Sequence, residues 1–457
     1  MALLLLVLAG LRHHLVWGRF PTFTLRPWLD ALETGCLLGF AWFGTRGWLA
    51  AMAAVRERTP GMRALVRATV PLFGLAILVP TFLSADVADY VMRGRILSLH
   101  DSNPYVHMAA EFADDPFLAF GDTSWKRFPL PYGPVVADLQ GAIAWLAHQA
   151  SFLAPRGQLV LAVALFKLVF AACLMASALL ARSIYAQLRT GDGDVAFVSV
   201  AWCPLVLNEA VASAHNESLL LLTILMAVWA AMRHRLALCA CALALGTLTK
   251  IIPLLLSPLF FVYAWRSRRL TPFLLGTAAA AAIACFYWLR FFTEPGSLDF
   301  LRRQSQVTLG SLVWAVSKLL AMDPAPFLLA GRLLVVTVIL LVTVRLWRKP
   351  TPEHLVHGSA VVLATMACCG LAAFGAWYHV WWLPLALLAN GPRLHRFALA
   401  AVWLAPLGYV LWTGLRTLDE RHQAAQLTMS IVVPGLIAFA RPPRPAPAGL
   451  APTGISS

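Results

Sequence analysis

The chain has 457 residues, of which 60% are hydrophobic and only 12% are charged, and its mean hydropathy is +0.74. Soluble domains carry about 25% charged residues, so this composition excludes an ordinary soluble protein. The net charge of +15 does not indicate nucleic-acid binding, because the arginines lie in short loops between apolar segments, where the positive-inside rule places cytoplasmic charge.

Apolar runs that could cross a bilayer begin at the N-terminus. Spans are predicted near 2–17, 30–54 and 67–84, and the basic loop between the last two is predicted to face the cytoplasm. The first segment lacks the basic start and small-residue cleavage site of a signal peptide, so it is interpreted as a short span. These features predict an all-α polytopic membrane protein.

Residues 85–157 are predicted to form one long loop on the outer face. Within it, 134–154 has the appearance of a span but contains Asp138. A full crossing there would place later basic loops on the wrong side of the membrane. An interfacial or partly inserted helix is therefore predicted.

The rest of the chain completes one predicted transmembrane domain, residues 1–440. The segments 236–249 and 251–265 are too short to cross alone, and Lys250 and Pro253 at their junction predict a helix broken at membrane depth. The other spans after the loop are predicted near 158–182, 195–208, 217–233, 271–291, 326–346, 358–376, 380–391, 397–414 and 424–440. The Pro-rich residues 441–457 are predicted to be a disordered cytoplasmic tail.

Acidic residues concentrate at the start of the long loop, where 84–134 holds seven of the chain's 21. Asp86 and Asp89 are three residues apart, so both face one side of a helix, and Arg93 is a candidate partner for Asp89. One interpretation is a solvated helix start with acids near its positive dipole end. The other is a reaction centre, because carboxylates at the edge of the lipid are costly unless they are used.

His215, Asn216 and Glu217 lie between two apolar segments, where Glu217 either caps the following helix or contributes to a site. Lys250 either reaches to an interface, pairs with an acid or holds an anion, and Lys167 raises the same question. The eight cysteines lie in or next to apolar segments without metal-site spacing and are interpreted as small core residues.

Aromatic residues cluster in "WYHVWW", which contains Trp377, Tyr378 and His379. An aromatic belt at a membrane interface explains such a cluster. Stacking against a sugar ring explains it equally well. The sequence leaves both interpretations open.

The order of these motifs resembles a known family. "ADVADYVMRGRIL…SNPY", "PYGP", "NEAVASAHNESLLLL", "TLTKIIPLLLSP" and "WYHVWW" are similar to motifs of membrane-embedded GT-C glycosyltransferases. The likeness is greatest to polyprenyl-phosphate mannosyltransferases of glycosyltransferase family 87 and to the first GPI mannosyltransferase. It covers about Ser84 to Pro258 and returns near Trp377. The resemblance implies a GT-C-type bundle of about 12–13 transmembrane helices.

The implied activity is inverting transfer of a hexose, expected to be mannose, from a polyprenyl-phosphate-linked donor to a hydroxyl of a lipid or glycan acceptor. The expected location is the inner membrane of a bacterium, with the active site on the periplasmic face. Membrane lipids, the donor and the acceptor are the expected partners, and nucleic acid is not. Neither a cofactor nor a metal is expected.

The resemblance places the family's catalytic aspartate at Asp86. In "DVAD" the second acid, Asp89, lies one residue farther away than in the commoner D-x-D form, so it is either a second catalytic acid or the partner of Arg93. The donor phosphate is expected to bind Arg93, Arg95, His215 and Lys250. Contacts to sugar or acceptor are expected from Asn103, Tyr105, Tyr132, Asn216, Glu217, Trp377, Tyr378 and His379.

Elementary chemistry agrees with this assignment, because phosphate leaves readily as an anion. One general base and cations on the phosphate are sufficient, without the second carboxyl group that a hydrolase uses. The alternative is a transporter or flippase for a lipid-linked sugar, with Asp86, Lys250 and His215 at a midplane translocation site. No inverted repeat is evident, and the acids lie in one loop, which favours the enzyme. A non-catalytic scaffold has no feature in its support.

Overall fold

The computed structural model describes residues 27–440, except 82, 85, 122–124, 190–192, 390 and 416–419, together with residues 4, 5 and 7. Over this part of the chain the regular structure is helical, and the one β-type contact is an isolated bridge between Leu309 and Ala373. The predicted all-α class is confirmed. The tail 441–457 and most of the predicted span 2–17 lie outside the described residues.

Most predicted apolar segments coincide with a helix whose ends are shifted, whereas 195–208 is broken after Ala201 and 380–391 contains only the six-residue helix Leu383–Leu388. In the first half they are Pro27–Arg58, Met62–Leu78, Asp86–Ser98, Pro134–Gln149, Pro155–Leu188, Gly193–Ala201, Pro204–Leu207, Glu217–Met232 and Leu236–Thr249. The second half contains Ser257–Arg266, Leu270–Phe291, Asp299–Gln306, Leu312–Leu320, Pro324–Arg348, Pro352–Cys369, Leu383–Leu388, Pro392–Leu415, Glu420–Leu427 and Val433–Phe439. Short 3₁₀ segments are Ala109–Glu111, Pro116–Ala119, Trp125–Arg127, Ile252–Leu256 and Ala376–Trp381, and π-helical turns are Asn208–Ala212 and Thr428–Val432.

Three described helices are long and apolar enough to cross a membrane: Pro155–Leu188, Leu270–Phe291 and Pro324–Arg348. A fourth crossing is formed if Gly193–Ala201 and Pro204–Ala212, which are bent by 47° at their break, span together. A crossing needs about 20 apolar residues, and the remaining apolar helices are shorter or more polar. The fold is that of a polytopic membrane protein, and the count of about 12–13 crossings stays a prediction.

The helix Pro134–Gln149 has 16 residues, fewer than a crossing needs, in agreement with a segment that does not span alone. It packs against Asp86–Ser98 through Gly94, where a Cβ atom would lie 2.1 Å from the Gln140 carbonyl oxygen. Only glycine permits so close an approach. The contact fixes the helix that begins at Asp86.

The predicted break near Lys250 is confirmed. Leu236–Thr249 ends at Lys250, whose backbone is extended, and a 3₁₀ turn that contains Pro253 follows. The freed Thr249 carbonyl accepts a hydrogen bond from the Gly133 N–H at 2.9 Å. The loop before Pro134–Gln149 therefore contacts the broken helix directly.

Lys167 has a structural role. Its side chain is buried, and Nζ donates hydrogen bonds to the carbonyl oxygens of Ile77, at 3.3 Å, and Val79. Carbonyl groups at a helix C-terminus lack intrahelical partners, and a cation there is stabilising. Lys167 thus anchors the end of Met62–Leu78, from which the chain continues to Asp86.

Candidate active site

Four polar residues from three separate segments of the chain converge beside the long loop. His215 Nε2 lies 3.8 Å from Asp86 Oδ2, and Lys250 Nζ lies 2.8 Å from Glu217 Oε1. Asp86 interacts electrostatically with Glu217 and Lys250 as well. The two pairs therefore form one charged cluster, and all four members are residues that the sequence singled out.

Asp86 is the first residue of its helix, and its N–H donates to Ser84 Oγ at 3.2 Å. Its side chain is 22% exposed, whereas those of Glu217 and of a third acid, Glu209, are 2% and 0% exposed. Burial raises the pKa of Asp86, and the charge of His215 acts in the opposite direction. Of these three carboxylates, Asp86 is the one that a substrate can reach.

His215 lies between two carboxylates. Its Nδ1 is 3.2 Å from Glu209 Oε2, opposite the Asp86 side, and Nε2 shares a 3.1 Å hydrogen bond with Ser84 Oγ. The ring packs against Trp377 at 4.6 Å between centroids. A carboxylate next to one ring nitrogen holds the imidazole in a fixed orientation and favours a proton on that nitrogen.

The sequence analysis did not select Glu209 as a site residue. Its Oε2 accepts a 3.2 Å hydrogen bond from Tyr409 Oη, and its Oε1 accepts one from Asn208 Nδ2 at 3.0 Å. The signal was present in "PLVLNEAVA", because a carboxylate within an apolar run is costly unless it is partnered. Glu209 also lies in the π-helical turn Asn208–Ala212, and such turns are frequent at functional sites.

Aromatic rings surround the ammonium group of Lys250. Nζ lies 5.5, 4.8 and 5.0 Å from the ring centroids of Tyr132, Tyr378 and Trp381. Cation–π attraction over these rings adds to the ion pair with Glu217. Of the three interpretations from sequence, pairing with an acid is observed, and anion binding stays a prediction.

A family model described as alpha-(1->6)-mannopyranosyltransferase, N-terminal domain (MptA_B family) matches residues 3–267, more than half of the chain. The chain belongs to this family. The match covers Asp86, Glu209, His215, Glu217 and Lys250, so the cluster lies within the matched region. No curated protein matches the chain. The resemblance to mannosyltransferases is confirmed, and the protein is a membrane mannosyltransferase.

Tyr105, the tyrosine of the "SNPY" motif, lies outside the charged cluster of the mannosyltransferase and stabilises the loop beside it. Tyr105 Oη donates to the Tyr132 carbonyl at 2.8 Å, and its ring packs against three phenylalanines. Asn103 Nδ2 donates to the Phe291 carbonyl at 2.8 Å and to Glu294 at 3.1 Å. Both residues attach the loop to the helix Leu270–Phe291, and the structure does not bring them into the cluster.

Arg93 lies buried beneath the loop, where it donates to the carbonyl oxygens of Phe128, at 2.9 Å, and Trp125, at 3.2 Å. The buried Asp89 interacts with the Arg93 charge. Oδ1 of Asp89 would lie 2.7 Å from a Cβ atom at Gly121. These contacts favour Asp89 as the partner of Arg93 over a second catalytic acid.

Arg95 is engaged away from the cluster. Its Nε lies 2.9 Å from Asp115 Oδ2, and the guanidinium group lies 4.1 Å from the centroid of the Phe117 ring. His100 Nε2 contacts the same carboxylate at 2.7 Å, and the Phe117 N–H donates to its Oδ1 at 2.8 Å. Phosphate binding by Arg95 stays a prediction, and its observed contacts stabilise the loop.

Replacing Asp115 with asparagine is expected to destabilise the protein by about 3 kcal/mol, because the buried Arg95 charge would lose its partner. Burial opposes ionisation of Asp115, but its hydrogen bonds from His100, Phe117 and Arg95 outweigh burial and lower its pKa. The stabilisation is therefore present above the ordinary aspartate pKa and is lost as the pH falls through the lowered value. Thermal unfolding in detergent at several pH values measures this effect.

The exposed neighbour Asp114 provides the matched control, since Asp114→Asn removes the same charge without a buried partner. Equal unfolding temperatures for the Asp115 and Asp114 variants would contradict the assigned role.

Some of the remaining predicted site residues border the charged cluster, and others lie away from it. Trp377 and Tyr378 border the cluster through His215 and Lys250. His379 is fully buried and packs against Phe374 and Trp382, away from the cluster. The last of the predicted residues, Asn216, is buried at the start of Glu217–Met232, and its Nδ2 has no hydrogen-bond partner in the described part of the chain.

Among the described residues, no group of three or more His, Cys, Asp or Glu side chains is arranged to hold a metal ion. The charged cluster alternates acids with His215 and Lys250, so its own cations occupy the positions next to the carboxylates. Metal-independent transfer stays a prediction.

Proposed function

We propose that the chain transfers mannose, with inversion at the anomeric carbon, from a polyprenyl-phosphate donor to a hydroxyl group of a lipid or glycan acceptor. Asp86 acts as the general base. The observation that carries this proposal is that the Asp86 carboxylate is accessible, whereas the other two acids nearby, Glu217 in the cluster and Glu209 beside His215, are buried and paired. The reaction takes place at the outer face of a bacterial inner membrane.

In the proposed step, Asp86 accepts the proton of the acceptor hydroxyl while the hydroxyl oxygen attacks C1 of mannose. The bond from C1 to the phosphate oxygen breaks, and its electron pair leaves with the polyprenyl phosphate. A carboxyl group that must take up a proton benefits from a raised pKa, which burial provides at Asp86. His215, which lies next to Glu209, attracts the Asp86 carboxylate across 3.8 Å.

Lys250 is the proposed cation for the leaving phosphate. Its ammonium group is already desolvated by aromatic rings, and charge-assisted hydrogen bonds to phosphate are strong in such surroundings. Arg93 and Arg95 are occupied by backbone carbonyl groups and by Asp115. They are therefore assigned to the support of the loop rather than to the phosphate.

Asn216, Trp377 and Tyr378 are proposed to contact the sugar or the acceptor. A buried amide without a hydrogen-bond partner is unfavourable by about 1–3 kcal/mol, and a substrate hydroxyl would satisfy Asn216 Nδ2. The rings of Trp377 and Tyr378 provide apolar faces beside the charged cluster. The same rings thereby exclude water from the reacting atoms.

A transfer assay on purified protein in vesicles tests the proposed donor. Polyprenyl-phosphate-linked mannose, glucose and arabinose and a nucleotide-linked mannose are supplied separately, each labelled on the sugar, with total membrane lipid as the acceptor. Labelled product from polyprenyl-phosphate mannose alone is expected. Transfer from the nucleotide donor would overturn the donor assignment, and label that crosses the membrane without transfer would favour the flippase.

A further inference from the structure

A second site lies at the other end of the helix Met62–Leu78. Asp86 follows the C-terminal end of this helix, whereas Arg56 precedes its N-terminal end, in the last turn of Pro27–Arg58. Seventeen residues at 1.5 Å per residue separate the two ends by about 25 Å. The surroundings of Arg56 are therefore distinct from the charged cluster.

A cavity of about 260 Å³ opens next to Arg56. Its walls come from helices that meet at one end of the bundle, and most of them are apolar; Leu49, Met52, Ala53, Val195, Leu388 and Leu399 contribute to them. The mostly apolar lining suits a hydrocarbon chain rather than a polar solute.

One end of this cavity is cationic. Arg56 lines it, and the Arg189 guanidinium lies 5.5 Å from the ring centroid of Tyr185, another lining residue. Both arginines are exposed, so their charges are available to a ligand. Asp194, which precedes the lining residue Val195, is already paired with Arg182 at 2.7 Å. Asp194 therefore does not offset the charges of Arg56 and Arg189.

We infer that this cavity binds one anionic phospholipid, with an acyl chain between the helices and the phosphate against Arg56 and Arg189. The apolar pocket between membrane helices is complementary to the acyl chain of such a lipid, and its basic mouth is complementary to the phosphate. A zwitterionic lipid presents the same chain but carries a compensating positive charge, so charge complementarity selects the anionic headgroup. This site is independent of the transfer reaction, since it lies at the opposite end of Met62–Leu78 from Asp86.

Native mass spectrometry of the full chain in detergent tests the inference, with phosphatidylglycerol and phosphatidylcholine of identical acyl chains as probes. Wild-type protein is expected to retain phosphatidylglycerol preferentially. Each guanidinium contributes about 5-fold in affinity, so Arg56→Ala and Arg189→Ala should each reduce retention by about that factor. Arg266→Ala, an exposed arginine that does not line the cavity, is the matched control.

A second variant tests the apolar part without a change of charge. Ala53 is exposed on the cavity wall, so Ala53→Phe should fill the cavity and displace the lipid while the fold is kept. Equal retention of the two lipids by the wild type, or wild-type retention in all three cavity variants, would overturn the inference. Because lipid retention is measured without a transfer assay, failure of this inference is distinguishable from failure of the proposed reaction.

Discussion

Replacing Asp86 with asparagine is expected to lower the rate of mannosyl transfer by about 10²–10⁴-fold, the usual contribution of a general base. The amide keeps the size of the side chain but cannot accept the proton of the acceptor hydroxyl. The substitution also removes a partly desolvated charge, so the unfolding temperature should not fall. Initial rates at saturating donor, together with thermal unfolding in detergent, measure both effects.

Asp101→Asn is the matched control, since Asp101 is an exposed acid of the same loop that lies outside the cluster. The pH profile provides a further readout. Burial raises the pKa of Asp86. As the pH falls, wild-type activity should therefore begin to decline at a pH above the ordinary pKa of an aspartate. Turnover near the wild-type rate in a folded Asp86→Asn protein would exclude Asp86 as the base.

Replacing Lys250 with methionine is expected to reduce kcat/KM for the donor by about 10–100-fold, the effect of losing one hydrogen bond to a charged group. The KM for the acceptor should change little, because Lys250 is proposed to contact only the phosphate. The variant should also lose about 3–5 kcal/mol of stability, since the buried Glu217 carboxylate would have no partner. Steady-state kinetics with each substrate varied in turn separates the two KM values.

The double variant Lys250→Met/Glu217→Gln distinguishes the catalytic role of Lys250 from a structural one. It removes the unpaired charge, so stability should return towards the wild-type value. Donor use should remain low if Lys250 binds phosphate. Recovery of donor use together with stability would show that the pair serves the fold alone.

Sequence patterns were sufficient for the broken helix and for most of the cluster. Pro253 follows Lys250 by three residues in an apolar run, and the proline cannot donate a helical hydrogen bond, so the two residues together predicted the break. Asp86, His215 and Glu217 were selected because polar groups at the ends of apolar segments are costly unless they are used. Spatial convergence then brought them together with Lys250.

The sequence did not show which acid pairs with which cation. Glu217 and Lys250 are 33 residues apart, and Arg95 and Asp115 are 20 apart, so helix periodicity could not pair them. The long loop holds several acids and several cations, and spacing alone permits many combinations. Only the packing of Asp86–Ser98 against the loop showed that Arg95 pairs with Asp115.

Glu209 was missed for a related reason. The sequence shows an acid in an apolar run, but not that the π-helical turn directs it to His215 on one side and Tyr409 on the other. Tyr409 is 200 residues away from Glu209, and no local pattern connects them. Contacts between distant segments follow from packing, which the order of residues does not display.

The anomeric configuration of the product tests the central claim most directly. Purified protein is given polyprenyl-phosphate mannose of defined configuration and its acceptor, and the new linkage is determined by NMR before any equilibration. One-step attack with Asp86 as base predicts that the product has the opposite configuration to the donor, and that Asp86→Asn forms almost none. Retained configuration would require two displacements through a covalent intermediate and would contradict the assignment of Asp86 as a base.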